Sequence, residues 1–148
     1  MKQVLAGGVP HDLPKAEAFI RGMSTLSVVC QGPFNAVATR LEALICANDM
    51  VIVQRHEFDR PLEGVCLGFS CRVYEIFNAR TAGRLIALDE GVAPLLPWRI
   101  ALHDRGGVST VSTPIPTLLL REFSDSTAVA QLAKRFEAVL SSVLRGLR

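Results

Sequence analysis

Glu75 is the carboxylate whose setting most invites chemistry. The run Phe69 to Phe77 alternates as a strand does, and Phe69, Cys71, Val73, Glu75 and Phe77 fall on one side of it. All of these but Glu75 suit a core, so the spacing predicts a carboxyl group held against an apolar layer. Burial disfavours the charged form and raises a carboxyl pKa, which is how a protein prepares an acid or a base. Arg99, near the start of a later strand, offers the alternative of a structural ion pair. The remaining arrangement puts Glu75 at a sheet edge, or turns the other side of the strand (Arg72, Tyr74, Ile76) inward.

Other polar groups cluster around the same strands. Arg72, Tyr74, Arg99 and His103 are expected on one sheet face, with Arg55 joining them, as an anion site or a polar dimer contact. His11, His56 and His103 are far apart in sequence. His56 and His103 on neighbouring strands would share a metal or a proton, but no HExxH-type spacing fixes them, and solvated strand histidines are the ordinary case. The four cysteines, Cys30, Cys46, Cys66 and Cys71, contain no CxxC. A reactive thiol needs a nearby cation or helix N-terminus. Arg72 follows Cys71, but alternation sends it to the opposite face, so reduced core thiols are expected. Ser109, Thr110, Ser112 and Thr113 lie in no GxSxG elbow, and Gly106-Gly107 has no helix after it, so it is a turn and not a phosphate loop. The residues thus predict no metal, no cofactor and no assembled catalytic set.

Composition narrows the classes further. The 148 residues suit one domain, with residues 1–23 an N-terminal extension and 24–148 the folded unit. Hydrophobic residues are 49% and charged residues only 20%, and the excess is expected to cover a partner surface, most simply that of a homodimer. The net charge of +2 is interspersed, with no basic stripe, which argues against nucleic acid. Apolar runs are too short to span a bilayer. The opening MKQVLAGG is too weak for a signal peptide, so a cytoplasmic protein is expected.

The elements that would position these groups follow from periodicity. Residues 24–30 and 50–58 read as strands flanking an amphipathic helix over 33–47, with Pro33 at its first position. Residues 69–77 form the next strand, and Asn78 caps a short helix closed by Asp89-Glu90-Gly91. A strand over 98–104, a Gly106-Gly107 turn and the strand VSTVST make a hairpin. One or two helical turns are expected in 117–123, then a helix over 126–146 capped by Ser124 or Asp125. Ala16, Phe19, Ile20 and Met23 suggest a further short helix at the start. The order β-α-β-β-α-β-β-α predicts an α+β two-layer sandwich, a curved and mainly antiparallel sheet of four or five strands with helices on one face.

The stretch Tyr74-Glu75-Ile76-Phe77-Asn78-Ala79, the spacing to Leu95-Leu96-Pro97, the strand through His103, the Gly106-Gly107 turn and Val111-Ser112-Thr113 resemble the domain of unknown function 302 family. The resemblance covers roughly 24–146. It implies a compact α+β sandwich, often dimeric, and no established activity. Family members carry Cys before that Asn and Cys after Leu-Leu-Pro; this chain has Phe77 and Trp98 there. The sequence therefore points to a non-enzymatic small-ligand-binding or interaction module acting as a homodimer. Tyr74, Glu75, Phe77, Asn78, Trp98, Arg99 and His103 are its candidate ligand residues, and an apolar or anionic small molecule its ligand. The alternative is an enzyme using Glu75 with Arg99 or His103, or a thiol-redox protein using Cys66 and Cys71.

Overall fold

A computed structural model describes residues 19–21, 24–58 and 68–148. Its elements in chain order are β1 (Phe19–Arg21), β2 (Thr25–Cys30), α1 (Phe34–Ala47), β3 (Val51–Glu57), β4 (Ser70–Phe77), α2 (Ala79–Leu88), a 3-10 turn (Glu90–Leu95), β5 (Trp98–Arg105), β6 (Val108–Pro114), α3 (Pro116–Leu119), a second 3-10 turn (Leu120–Glu122) and α4 (Thr127–Arg145). The strands form one antiparallel sheet in the order β1-β2-β6-β5-β4-β3.

Alternation decides which side of the sheet the helices cover. Leu26 and Val28 on β2, Val111 on β6, Ile100 and Leu102 on β5, and Tyr74 and Ile76 on β4 are buried. Cross-strand register places them together, with Val28 opposite Val111, Leu102 opposite Val111, and Ile100 opposite Tyr74. The apolar stripes of the two longest helices close over them, with Val37, Leu41 and Ile45 from α1 and Leu132, Leu140, Val143 and Leu144 from α4. The architecture is the expected α+β sandwich with one covered face.

Local chemistry sets the element ends. The β5–β6 hairpin turns on Gly106 (φ 62°) and Gly107 (φ 79°), both positive as a tight hairpin turn demands and as side-chain-bearing residues resist. Ser126, and not Ser124 or Asp125, caps α4, with its hydroxyl accepting from the Val129 N–H at 3.2 Å. Ser124 donates its hydroxyl to Asp89 instead. That bond, then the Gly91 N–H, holds the Asp89 carboxyl below its usual pKa. Pro33 stands one position before α1, as its cap.

Three expectations are corrected. Residues 19–21 are not helical; they pair with Leu26–Val28 as a sixth, edge strand. A helix of two turns has little stability alone, and main-chain pairing with a formed sheet outweighs it. The core side of β4 is Tyr74 and Ile76, not the set containing Cys71, Val73 and Glu75, because Tyr74 and Ile76 are the residues that register with Ile100 and Trp98. For the same reason Arg72 and Tyr74 share no face with Arg99 and His103. The rest of the expected N-terminal helix, and the 59–67 connection with Cys66, lie outside the described residues.

Candidate functional site

Six of the seven candidate residues divide between two sides of the sheet, and the seventh, Asn78, lies just past the end of β4. Trp98 and Tyr74 point into the helix layer and are 3% and 0% exposed. The Trp98 indole N–H donates to the Thr113 hydroxyl at 3.0 Å, Thr113 donates to the Arg99 carbonyl at 2.8 Å, and Phe136 of α4 packs edge-on to the indole. The Tyr74 hydroxyl donates to Glu42 of α1 at 2.9 Å, and Arg55 pairs with the same carboxylate oxygen at 3.1 Å. Burial raises the Tyr74 pKa, against the Arg72 hydrogen bond and with that to Glu42. Both aromatic residues thus fasten helices to the sheet.

Glu75, Arg99, His103 and Phe77 lie on the other, open face. Glu75 stands opposite Arg99 on β5 and opposite Gln54 on β3. One of its carboxylate oxygens meets the Arg99 guanidinium at 3.1 Å, and the other lies 3.6 Å from the His56 imidazole. His56 and His103 are not on neighbouring strands: β4 separates them, with Val73 opposite His56 and Cys71 opposite His103. Burial, then Arg105, lowers the His103 pKa, with Asp104 opposing.

The open face also holds residues that the sequence reading did not gather. Ser27, Ser112, Ala101, Val73 and His56 form a continuous row across β2, β6, β5, β4 and β3. The side chains at the middle of this row are short. Beyond it, at the β3 edge, Val51 is 62% and Val53 52% exposed, Val53 being the extra residue of a bulge between Ile52 and Gln54. The alternation of β5 and β6 pointed to these residues singly; only the register reveals the row.

Asn78 sits at the junction of β4 and α2. Its carbonyl oxygen accepts from the Thr81 N–H at 2.9 Å, and its amide donates to the Asp49 carbonyl at 2.8 Å. Asp49 itself has a positive φ of 60°. Asn78 therefore caps the helix and fastens the α1–β3 connection. Cys30 is buried in the core, which pushes its thiol up to about 11 despite Arg40 nearby. Among the described residues no group of three or more His, Cys, Asp or Glu could hold a metal ion, and no helix is long and apolar enough to cross a membrane.

An antiparallel sheet with helices packed on one face, and none on the other among the described residues, defines an α+β sandwich domain. The family model described as domain of unknown function DUF302 matches residues 26–147, and the chain belongs to that family. A solved crystal structure of an uncharacterized conserved protein DUF302 from Bacillus stearothermophilus has the same fold, with a TM-score of 0.80 at 20% identity, covering 86% of this chain and 100% of that one. No curated protein matches the chain. Phe77 faces the open side and Trp98 the core, on adjacent strands.

Proposed function

We propose that this domain is a non-enzymatic interaction module that works as a homodimer, with the open face of the sheet as its interface. The carrying observation is a sheet face on which no helix packs among the described residues, centred on the short, half-buried side chains of Ser27, Ser112 and Ala101. Antiparallel sheets do leave one face to solvent, but such faces are usually polar. This one mixes Val29, Val73, Phe77 and Val51 with its polar residues. Short central side chains let a second flat surface approach closely, and the Glu75–Arg99 pair gives the face both signs of charge. A two-fold axis through such a surface makes it self-complementary.

Size supports the reading. Five strands at ~4.8 Å spacing and ~3.3 Å per residue give a face on the order of 500 Å² per protomer. The pair would bury about 1,000 Å², the lower end for a specific interface. Cys30, Cys46 and Cys71 are free thiols, which fits a cytoplasmic setting.

The test is sedimentation over a concentration series. The wild-type chain is expected to run at twice the chain mass, and Ala101→Arg, which plants a long cation in the middle of the row, at the chain mass with its fold intact. A monomeric wild type, or a dimer indifferent to Ala101→Arg, overturns the proposal.

Acid–base chemistry at Glu75 has one observation in its favour, the approach of Arg99 and His56 to the two carboxylate oxygens. Those contacts have the geometry of a cross-strand ion pair on a sheet surface, which needs no catalytic role.

A further inference from the structure

The helix layer carries a second feature, apart from the open sheet face. A cavity of about 310 Å³ runs between α2 and α4, lined by Arg84, Ala87, Leu88, Gln131, Leu132 and Arg135, with Ala128 completing its floor. Its origin is simple. The end of α2 is tied to the start of α4 by the Asp89–Ser124 hydrogen bond, so the helices meet there. Ala87 and Ala128 then leave room between them that larger side chains would fill.

Two properties of this groove point to one kind of occupant. Its floor is apolar, and Leu88 stays 46% exposed within it. Its polar rim is basic: Arg84 and Arg135 are exposed, no acidic residue lines the cavity, and neither guanidinium has an ion-pair partner among the described residues. Asp89, the nearest acid in sequence to the α2 end, is occupied by Ser124 and Gly91.

We infer that this groove binds a small amphiphilic carboxylate, its head held by Arg84 and Arg135 and its aliphatic tail laid on Ala87, Leu88, Ala128 and Leu132. Arginine presents a planar fork of donors that matches a carboxylate. A bare inorganic anion would leave the apolar floor uncovered, and a neutral alkyl chain would leave both cations unanswered. Along the groove Ala128 and Arg135 of α4 are separated by seven residue steps, or ~10 Å of helix at ~1.5 Å per residue, which is the reach of a chain of about eight carbons. The volume lies at the small end of ligand sites, ~300–1,000 Å³.

The probe is sodium octanoate, followed by amide shifts in a ¹⁵N-labelled sample of the full chain, with octanol as the uncharged control. Saturable shifts confined to α2 and the first half of α4 are expected, with octanol at least about tenfold weaker. Two variants at exposed positions separate head from tail: Arg84→Gln with Arg135→Gln removes the cations, and Ala128→Leu fills the floor. Each is expected to weaken octanoate about tenfold or more while melting at the wild-type temperature. The inference is overturned by non-saturable shifts, by octanol binding as well as octanoate, or by both variants binding like the wild type. If one variant melts early, the other decides by the same criterion.

Discussion

Glu75 and Arg99 meet across β4 and β5 at 3.1 Å, on the side of the sheet that no helix covers among the described residues. The Arg99 side chain is 58% exposed, so in an isolated protomer the pair is screened by water and contributes less than about 1 kcal/mol to folding. Between two protomers the same charges would be desolvated and would set how the copies face each other. Arg99→Ala is therefore expected to leave the urea midpoint of a dilute, monomeric sample nearly unchanged while weakening self-association. Equal loss in both measurements would make the pair a folding contact instead.

Trp98 and Thr113 form the buried counterpart on the helix side, where a single hydroxyl both accepts from the indole and donates to the Arg99 carbonyl. Thr113→Val keeps the shape and removes the hydroxyl. An unsatisfied buried N–H costs ~1–3 kcal/mol, and Thr113→Ser should recover most of it. Chemical denaturation of the three proteins reads this directly.

Asn78 makes two bonds with one side chain, to the Thr81 N–H and to the Asp49 carbonyl. Asn78→Ala is expected to cost ~1–2 kcal/mol, and Asn78→Asp, which retains the cap but not the amide donor, less. A ligand-binding role for Asn78 would instead leave stability unchanged in both variants.

His103 gives the pH dependence a definite sign. Burial, reinforced by Arg105, holds its pKa below the ordinary 6.5, so the unfolded chain takes up the proton more readily than the folded one. The stability contributed by neutral His103 is present above pH 6.5 and is lost as the pH falls from there through the depressed folded value. Urea midpoints measured from pH 8 down to 5 should fall less steeply for His103→Gln than for the wild type. Parallel slopes would contradict this.

Much of the fold was legible because it rests on periodicity. The apolar spacing of α1 and α4, the alternation Trp98-Ile100-Leu102 and the Gly106-Gly107 turn each have one local solution. The face of β4 was not legible, because both sides of Phe69–Phe77 carry apolar residues and the choice lies in pairing with a distant strand. A strand over Phe19–Arg21 was hidden for a related reason: three residues have no periodicity, and only an existing β2 edge makes them extended. The candidate site was read in pieces. Glu75 with Arg99 was foreseen, but His56 as its second neighbour depended on the bulge at Val53, which resets the register of β3.

The central claim is that the bare face meets its own copy, and contacts between protomers test it most directly. A mixture of ¹³C-methyl-labelled and unlabelled chains, refolded together, permits isotope-filtered NOEs that report only intermolecular approach. Cross-protomer NOEs at the methyl groups of Val73 and Ala101 are predicted, with none at Leu132 or Val143 in the helix layer. Intermolecular NOEs at the helix methyls, or none at all at concentrations where sedimentation shows a dimer, would contradict it.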